Sequence, residues 1–255
     1  MKNFAISNKE FFNLLQSKYT FEENPHFGLC VSGGPDSLAL MILMKNFVKK
    51  KGGRITVFHF NHNLRKKSLS ESEFVRHIST TFKLRCIVIN WNEKKPKSGI
   101  MSKAREIRYK KIIFHCKKLK ILHLMTAHHY DDVLETFLMR SLRRFSSVGL
   151  SSIPHKRIDD SLQIIRPLIS FEKKRLVDTC RSNKLTWITD PSNFDPFFER
   201  VRVRSKIGEL NCGGKKKLTK DFLKSKKNNI QLEDKVSNFF AKNIIFYEYG
   251  AFSIE

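Results

Sequence analysis

Cysteine is sparse in this sequence, and no two cysteines stand close together. The five are Cys30, Cys86, Cys116, Cys180 and Cys212, so the chain contains no CxxC pair. Zinc ribbons and cysteine-bound iron–sulfur clusters need such pairs, and the sequence argues against both. An odd number of cysteines is also more typical of a reducing compartment than of a disulfide scaffold. We therefore expect a cytoplasmic protein.

Long apolar runs are absent as well. No stretch approaches the roughly 20 apolar residues of a membrane-spanning helix. Residues 1–19 contain neither the continuous apolar segment nor the small-residue cleavage site of a secretory signal. The apolar residues Phe4, Phe11, Phe12, Leu14 and Leu15 instead predict an amphipathic helix there. We expect a soluble protein with no membrane partner.

Acidic residues are few compared with basic ones. Asp and Glu total 24 against 49 Lys and Arg, which gives a net charge of +25. Such an excess favours a polyanionic partner, and nucleic acid is expected before an anionic membrane. A genome that overuses lysine is an alternative source of part of this charge. The 255 residues with 40% hydrophobic content suffice for one large domain or for a core with an appendage.

A glycine loop stands between an apolar run at 27–31 and a helix-like segment at 38–48. Its residues are Ser32, Gly33, Gly34, Pro35, Asp36 and Ser37. Glycines let the backbone approach a ligand, and the first N–H groups of a helix attract phosphate. No lysine follows the glycines, so the loop is not a Walker A motif. Asp36 suits a Mg²⁺ ion that accompanies pyrophosphate. The alternative is a plain turn capped by Ser32 or Asp36.

Strand and helix signals alternate along most of the chain. Strands are predicted at 27–31, 54–60, 85–91 and 121–126, and helices at 38–48, 70–82, 101–119 and 131–142. This order predicts an α/β fold with a parallel sheet covered by helices on both faces. A binding site is then expected at the carboxyl ends of the strands, where the glycine loop begins.

An acidic cluster follows the predicted strand at 121–126. His128, Asp131, Asp132 and Glu135 are spaced i, i+3, i+4 and i+7, which predicts one helical face. Such a group can bind Mg²⁺, hold a substrate amine or act as a base. Acids at a helix N-terminus also simply complement the helix dipole, which explains Asp131 and Asp132 better than Glu135.

Arginines form two further patterns. Arg105, Arg108 and Tyr109 share a predicted helix face, which suits clamping a phosphate or stacking on a base. A plain exposed helix is the alternative. Arg200, Arg202 and Arg204 alternate with valines. The alternation predicts a strand whose basic face contacts a phosphate backbone, or a solvated edge strand protected by its charge.

Six motifs in this order resemble the tRNA(Ile)-lysidine synthetases, a family of PP-loop N-type ATP pyrophosphatases. They are SGGPDS (32–37), FHFNHNLR (58–65), AREIRY (104–109), TAHHYDDVLET (126–136), IRPL (165–168), and WITDPSN (187–193) with FERVRVR (198–204). The similarity runs over about residues 27–210. It implies an adenine nucleotide α-hydrolase-like core at 25–195, after an N-terminal helix at 1–24 and before a basic C-terminal linker and short extension at 196–255. Within that last region, the lysine-rich segment 213–229 is expected to be a mobile linker or to face RNA.

The resemblance implies a two-step reaction that uses ATP and Mg²⁺. ATP adenylates the wobble cytidine of a tRNA(Ile) with a CAU anticodon and releases pyrophosphate. The amine of free L-lysine then displaces AMP, and the resulting lysidine makes the anticodon read AUA. A homodimer is a further expectation.

The same resemblance assigns roles to residues. The residues from Ser32 to Ser37 would bind ATP, with Asp36 as a catalytic residue and Mg²⁺ ligand. Arg105 would lie near the phosphates or the reacting base. His128, Asp131, Asp132 and Glu135 would handle lysine and metal, and Arg200, Arg202 and Arg204 would contact tRNA.

The sequence departs from the family pattern at one turn and in length. The family has an R-G-S-G turn after the acidic helix, where this chain reads Arg143-Arg144-Phe145-Ser146. Larger members carry additional C-terminal tRNA-binding domains. Two alternatives follow: a related PP-loop tRNA thiolase, against which the isolated cysteines argue, and a non-catalytic tRNA-binding protein, which the altered turn favours.

Overall fold

The computed structural model describes residues 4–63, 68–93, 96, 98–143, 150, 153–159, 161–246 and 252–254. In chain order the elements are α1 (Asn8–Lys18), β1 (His26–Cys30), α2 (Pro35–Lys51), β2 (Arg54–Asn61), α3 (Ser68–Thr81), β3 (Arg85–Asn90), α4 (Ile100–Lys118), β4 (His123–Met125), α5 (Tyr130–Leu142), β5 (Lys156–Asp159), β6 (Leu162–Ile165), α6 (Lys173–Ser182), a 3-10 helix (Pro191–Phe194), α7 (Glu199–Glu209), α8 (Cys212–Asn243), β7 (Ile244–Phe246) and β8 (Phe252–Ile254).

The chain divides into two compact units. The first unit comprises Met1–Asp131 with Pro154–Asn193, and the second comprises Asp132–Ile153 with Phe194–Glu255. The boundary within α5 falls between Asp131 and Asp132. The expected domain limits at 24/25 and 195/196 stay predictions. Among the described residues, no helix combines the length and the apolar character needed to cross a membrane.

The first unit contains a six-stranded sheet of order β3-β2-β1-β4-β6-β5. All neighbouring pairs are parallel except β5 with β6, which is antiparallel. From β1 the chain moves outward through β2 and β3, and then returns to the other side of β1 with β4. The reversal creates a topological switch point between β1 and β4, where ligands of open α/β sheets bind. The loop after β1 and the segment after β4 both start there.

Two apolar clusters cover the sheet on opposite faces. Consecutive residues of a strand point to opposite faces, and Val57 belongs to one cluster while Phe58 belongs to the other. Helix α2 is buried along most of its length, from Leu38 to Met44, because its sequence there is continuously apolar. The expected α/β architecture with a mainly parallel sheet is confirmed.

The individual elements of the first unit largely follow the sequence predictions. The four predicted strands and the four predicted helices are present with limits shifted by a few residues. Helix α1 lies inside the predicted N-terminal segment, and the Ser7 side chain caps it by accepting from the Glu10 N–H at 3.1 Å. The β5–β6 hairpin was not predicted, since its strands have only four residues each.

Two predictions for the second unit are wrong. Residues 200–204 lie in α7 rather than in a strand. Three arginines alternating with two valines are too few to fix a period of two, and arginine is a good helix former. The segment 213–229 was expected to be a mobile linker or to face RNA; it belongs to the 32-residue helix α8, so the linker interpretation is wrong and the RNA-facing one stays a prediction.

Local contacts explain the start of α8 and its attachment. The Asn211 side chain caps the helix by accepting from the Gly214 N–H at 2.8 Å. Lysine has good helix propensity, so a lysine-rich run is compatible with a helix. Phe222 of α8 is 6% exposed, and its ring centroid lies 5.8 Å from that of Phe137 in α5. A single buried aromatic residue therefore anchors a helix that composition alone marks as a linker.

Candidate active site

Two serine hydroxyls hold the glycine loop from inside. Ser37 Oγ donates to the Gly34 carbonyl at 2.9 Å and accepts from the Ser32 N–H at 3.2 Å. The Gly34 N–H points to Ser32 Oγ at 3.4 Å. These bonds fix the loop backbone at the carboxyl end of β1, directly before α2.

Gly33 takes a backbone conformation that other residues rarely adopt. Its φ is +90°, and its carbonyl accepts a hydrogen bond from the Ile188 N–H at 2.9 Å. A Cβ atom at this position would lie 2.6 Å from Ile188 Cδ1. The loop thus needs glycine here, and it joins the WITDPSN motif through the backbone.

The N-terminus of α2 is open for an anion. Gly34 is the N-cap, Pro35 follows, and no side chain of the described residues caps the helix. Ser32 Oγ does accept from the Gly34 N–H, as expected for the alternative of a turn capped by Ser32, but this bond lies before the helix and does not exclude an anion at its start. N–H groups at such a helix start carry partial positive charge and attract phosphate.

Asp36 has a buried oxygen that suits a hard cation. Within the described part of the chain, Asp36 Oδ1 is buried and accepts no hydrogen bond. Its Oδ2 lies 3.6 Å from His129 Nε2 and 3.9 Å from Lys173 Nζ. Mg²⁺ is commonly held by one or two carboxylates together with substrate phosphates and water. The described residues contain no group of three or more His, Cys, Asp and Glu that could hold a metal alone, so a Mg²⁺ ion here fits only together with a phosphate ligand.

His129 connects two carboxylates and was missed by the sequence analysis. It is 2% exposed, and its Nδ1 lies 3.5 Å from Asp131 Oδ2 while its Nε2 faces Asp36. In the sequence it is only the second histidine of a pair. Its position after β4, at the switch point opposite the glycine loop, is the signal that could have identified it.

Asp131 is bound at the start of α6. Its Oδ2 accepts a hydrogen bond from the Lys173 N–H at 2.8 Å and so caps that helix. Burial alone would raise the pKa of Asp131, but the contacts with His129 and the Lys173 amide outweigh it and hold the pKa below its ordinary value. Asp131 is thus an ionised carboxylate with a structural partner.

His128 does not lie on the predicted helical face. Helix α5 begins at Tyr130, so His128 stands before it, with Nδ1 3.0 Å from Thr126 Oγ1. The spacing rule failed here because it assumed that the helix begins earlier.

Arg105 lies in α4, where its guanidinium and that of Arg108 both lie against Tyr109, so the predicted shared face is confirmed.

In the second unit, the acids of α5 bind arginines of α7. Arg200 donates from Nη2 to Asp132 Oδ1 at 2.7 Å and from Nε to Glu135 Oε2 at 2.6 Å. Arg204 Nε donates to Glu135 Oε1 at 2.7 Å. The Glu135 side chain is 3% exposed. Burial alone would raise the pKa of Glu135, but the hydrogen bonds from Arg204 and Arg200 hold it below its ordinary value. Two of the three arginines predicted to face tRNA, Arg200 and Arg204, thus bind carboxylates of the same unit.

Arg202 is the member of that set without a carboxylate partner among the described residues. It is exposed, and its Nη1 donates to the carbonyls of Pro196 and Phe197 at 2.7 and 2.8 Å. Arg143, at the start of the altered turn, pairs with Glu199 of α7. The rest of that turn, Arg144-Phe145-Ser146, lies outside the described residues.

Comparisons with known proteins agree with this geometry. The sequence matches the family model described as a PP-loop domain over residues 4–210. A tRNA(Ile)-lysidine synthase from Orientia tsutsugamushi is 37% identical over 206 residues, which are 81% of this chain and 46% of that protein. One from Lactobacillus gasseri is 32% identical over 242 residues, 94% of this chain and 56% of that protein. The chain spans about half the length of the curated relatives it matches.

A solved structure with a similar fold is the U34-tRNA thiolase NcsA from Methanococcus maripaludis, determined with its 4Fe-4S cluster. The TM-score is 0.68, covering 86% of this chain and 79% of that chain, at 14% identity. At this identity the likeness shows the fold alone. In this chain all five cysteines are free.

Proposed function

The chain belongs to the PP-loop domain family, and on that premise we propose that it ligates lysine to the wobble cytidine of a tRNA(Ile) with a CAU anticodon, using ATP. The observation that carries the proposal is the glycine loop with Asp36 and His129 at the switch point of the sheet. The names of the similar proteins support the choice of substrate. The proposed setting is the cytoplasm, in agreement with the free cysteines, and a homodimer remains a prediction.

The loop residues account for the first step. The N–H groups at the start of α2 bind the phosphates of ATP, and Asp36 Oδ1 would hold Mg²⁺. A Mg²⁺ ion bound there would supply positive charge against that of the departing pyrophosphate. The ring carbonyl oxygen of the cytidine attacks the α-phosphorus, and the bond from that phosphorus to pyrophosphate breaks. Arg105 is proposed to lie near the phosphates or the reacting base, where a guanidinium stabilises the developing charge.

The acidic cluster is assigned to the second step. The amine of lysine attacks the activated ring carbon, AMP leaves, and a carboxylate accepts the proton that the amine loses. His128, Asp131, Asp132 and Glu135 remain the proposed residues. Both oxygens of Glu135 accept hydrogen bonds from arginine. Glu135 can therefore hold the lysine ammonium only by exchanging an arginine for it, and otherwise acts by positioning α7.

Nucleoside mass spectrometry tests the proposal. The chain is incubated with a tRNA(Ile) bearing CAU, ATP and lysine, and each component is left out in turn. We expect lysidine, AMP and pyrophosphate only in the complete mixture. Asp36→Asn should slow pyrophosphate release by about a hundredfold or more, the usual effect of removing an electrostatic stabiliser. Asp178→Asn removes a carboxylate of α6 that pairs with Arg181 and is the matched control.

Other products would contradict specific parts of the proposal. ADP and phosphate would exclude the PP-loop chemistry. AMP and pyrophosphate with a thiolated nucleoside would identify a thiolase. Binding of tRNA without any pyrophosphate release, at protein and substrate concentrations that saturate binding, would identify a non-catalytic tRNA-binding protein.

A further inference from the structure

Three guanidinium groups surround one tyrosine ring in the first unit. The Cζ atoms of Arg105, Arg108 and Arg157 lie 5.3, 5.4 and 5.7 Å from the centroid of the Tyr109 ring. Each distance is within the roughly 6 Å of a cation–π contact. Arg105 and Arg108 belong to α4 and Arg157 to β5, so two separate elements bring their charges to the same ring.

A fourth arginine, Arg166, lies beside this group and is almost fully buried. It is 4% exposed, and its Nη1 donates to the Pro154 carbonyl at 2.8 Å. Its Nε is buried and has no hydrogen-bond partner among the described residues. A buried N–H without an acceptor is unfavourable, so an acceptor placed there would be stabilised.

The positive charges of these arginines repel one another. Burial lowers the pKa of Arg166, and the guanidiniums of Arg157 and Arg105 lower it further, against an opposing effect of Tyr109. Arg157 Nη2 donates to Asp159 at 2.6 Å. In the part of the chain that the structure describes, neither Arg108 nor Arg166 pairs with a carboxylate. The positive charge is thus concentrated and only partly balanced, and an anion would relieve the repulsion.

We propose that Arg108, Arg157 and Arg166, gathered around Tyr109, form a binding site for one phosphate group of RNA. Guanidinium groups match phosphate oxygens in paired hydrogen bonds, and convergence from different elements gives such a site a fixed geometry. The choice of RNA rests on the proposed function. A phosphate of ATP has the same chemistry and is the second source to test.

The test uses the two less buried arginines, because Arg166 is too buried to replace without risk to folding. Binding of tRNA is measured by fluorescence anisotropy over a range of salt concentrations, without lysine, for Arg108→Gln, Arg157→Gln and the double variant. Lys110→Gln is the matched control, since Lys110 is an exposed cation of the same helix. ATP affinity is measured in parallel by calorimetry.

We expect each single variant to weaken tRNA binding by about tenfold, the scale of one charge-assisted hydrogen bond. If both arginines share one phosphate, the double variant lowers the slope of log affinity against log salt by about one, not by two. A fall in ATP affinity with tRNA binding unchanged would support the phosphate site but assign it to the nucleotide.

Three results would overturn the site. They are tRNA and ATP affinities equal to those of Lys110→Gln, a slope change of about two in the double variant, and an undiminished effect of Arg108→Gln in the presence of Arg157→Gln. These binding measurements do not depend on turnover. A chain that forms no lysidine would therefore contradict the proposed function without changing the result of this binding test.

Discussion

Gly33 sets the geometry of the glycine loop through its backbone alone. Its φ of +90° is unfavourable for any residue with a Cβ, whereas the neighbouring Gly34 has a φ of −75°. We expect Gly33→Ala to lower the free energy of unfolding by about 1–3 kcal/mol, the usual strain of such a conformation. Gly34→Ala should cost less than about 1 kcal/mol, since it only replaces a glycine N-cap and its Cβ would lie 3.6 Å from Ser32 Oγ.

Urea unfolding and ATP-binding measurements on Gly33→Ala and Gly34→Ala test this prediction. Gly33→Ala should also weaken ATP binding, because the carbonyl bonded to the Ile188 N–H must move. Equal stability of the two variants would show that the loop tolerates a second backbone conformation.

The sequence predicted the loop residues but only some of their partners. The motif identified Asp36, because an acid in place of the Walker lysine is visible in the letters. It did not identify His129 or Lys173, which lie near Asp36 in space but 93 and 137 positions away along the chain. Whether residues so far apart along the chain lie close in space depends on which strands are neighbours in the sheet, and a motif does not contain that information.

Because α5 and α7 are joined through ionised side chains, we expect the stability of the second unit to depend on pH. The pKa of Glu135 lies below its ordinary value of 4.5 in the folded chain. A carboxyl group of this kind contributes stability above its unfolded pKa, and the contribution is lost as the pH falls through the folded pKa. Glu135→Gln should lower the free energy of unfolding by about 1–3 kcal/mol at neutral pH, less than for a fully buried ion pair because both arginines are partly exposed.

Urea unfolding at several pH values measures this effect. The difference between Glu135→Gln and the original chain should be largest near neutral pH and shrink as the pH falls below about 4.5. A difference that does not change with pH would mean that the hydrogen-bond geometry, and not the charge, stabilises the pairing. Glu209→Gln, which removes a carboxylate of α7 that accepts from the Ser205 hydroxyl, is the control.

Helix α7 places Arg202 apart from Arg200 and Arg204, which the strand interpretation could not show. In a strand, Arg200, Arg202 and Arg204 would share one face, but in a helix Arg202 points away from the other two. We expect Arg202→Gln to reduce the salt dependence of tRNA binding with little effect on the unfolding temperature. Arg204→Gln should lower the unfolding temperature, since it removes a partner of buried Glu135. Differential scanning fluorimetry and anisotropy distinguish the two; the reverse pattern would assign Arg204 to RNA.

For the whole molecule, alternation of strands and helices predicted the parallel sheet because each buried strand is a short apolar run with clear limits. The β5–β6 hairpin was missed since Lys156 and Arg157 give β5 an exposed, charged sequence. Helix α8 was missed for a related reason. Its lysines form a solvated face, and its contact with α5 depends on Phe222, which no local pattern marks as buried.

The net charge of +25 makes the whole molecule a polycation. If the charge serves tRNA binding, several lysines and arginines neutralise phosphates together, and each releases a counterion. The slope of log affinity against log salt is about −0.7 to −0.9 for each neutralised phosphate. We expect a slope steeper than about −4, equivalent to five or more contacts. If the lysine excess is only compositional, the charges are spread over the surface, few phosphates are neutralised at once, and the slope stays shallower than about −2. Anisotropy titrations of labelled tRNA between about 50 and 200 mM salt cover the range in which this difference is large. A DNA duplex of similar charge is the control, because purely electrostatic binding would give both ligands the same affinity as well as a steep slope.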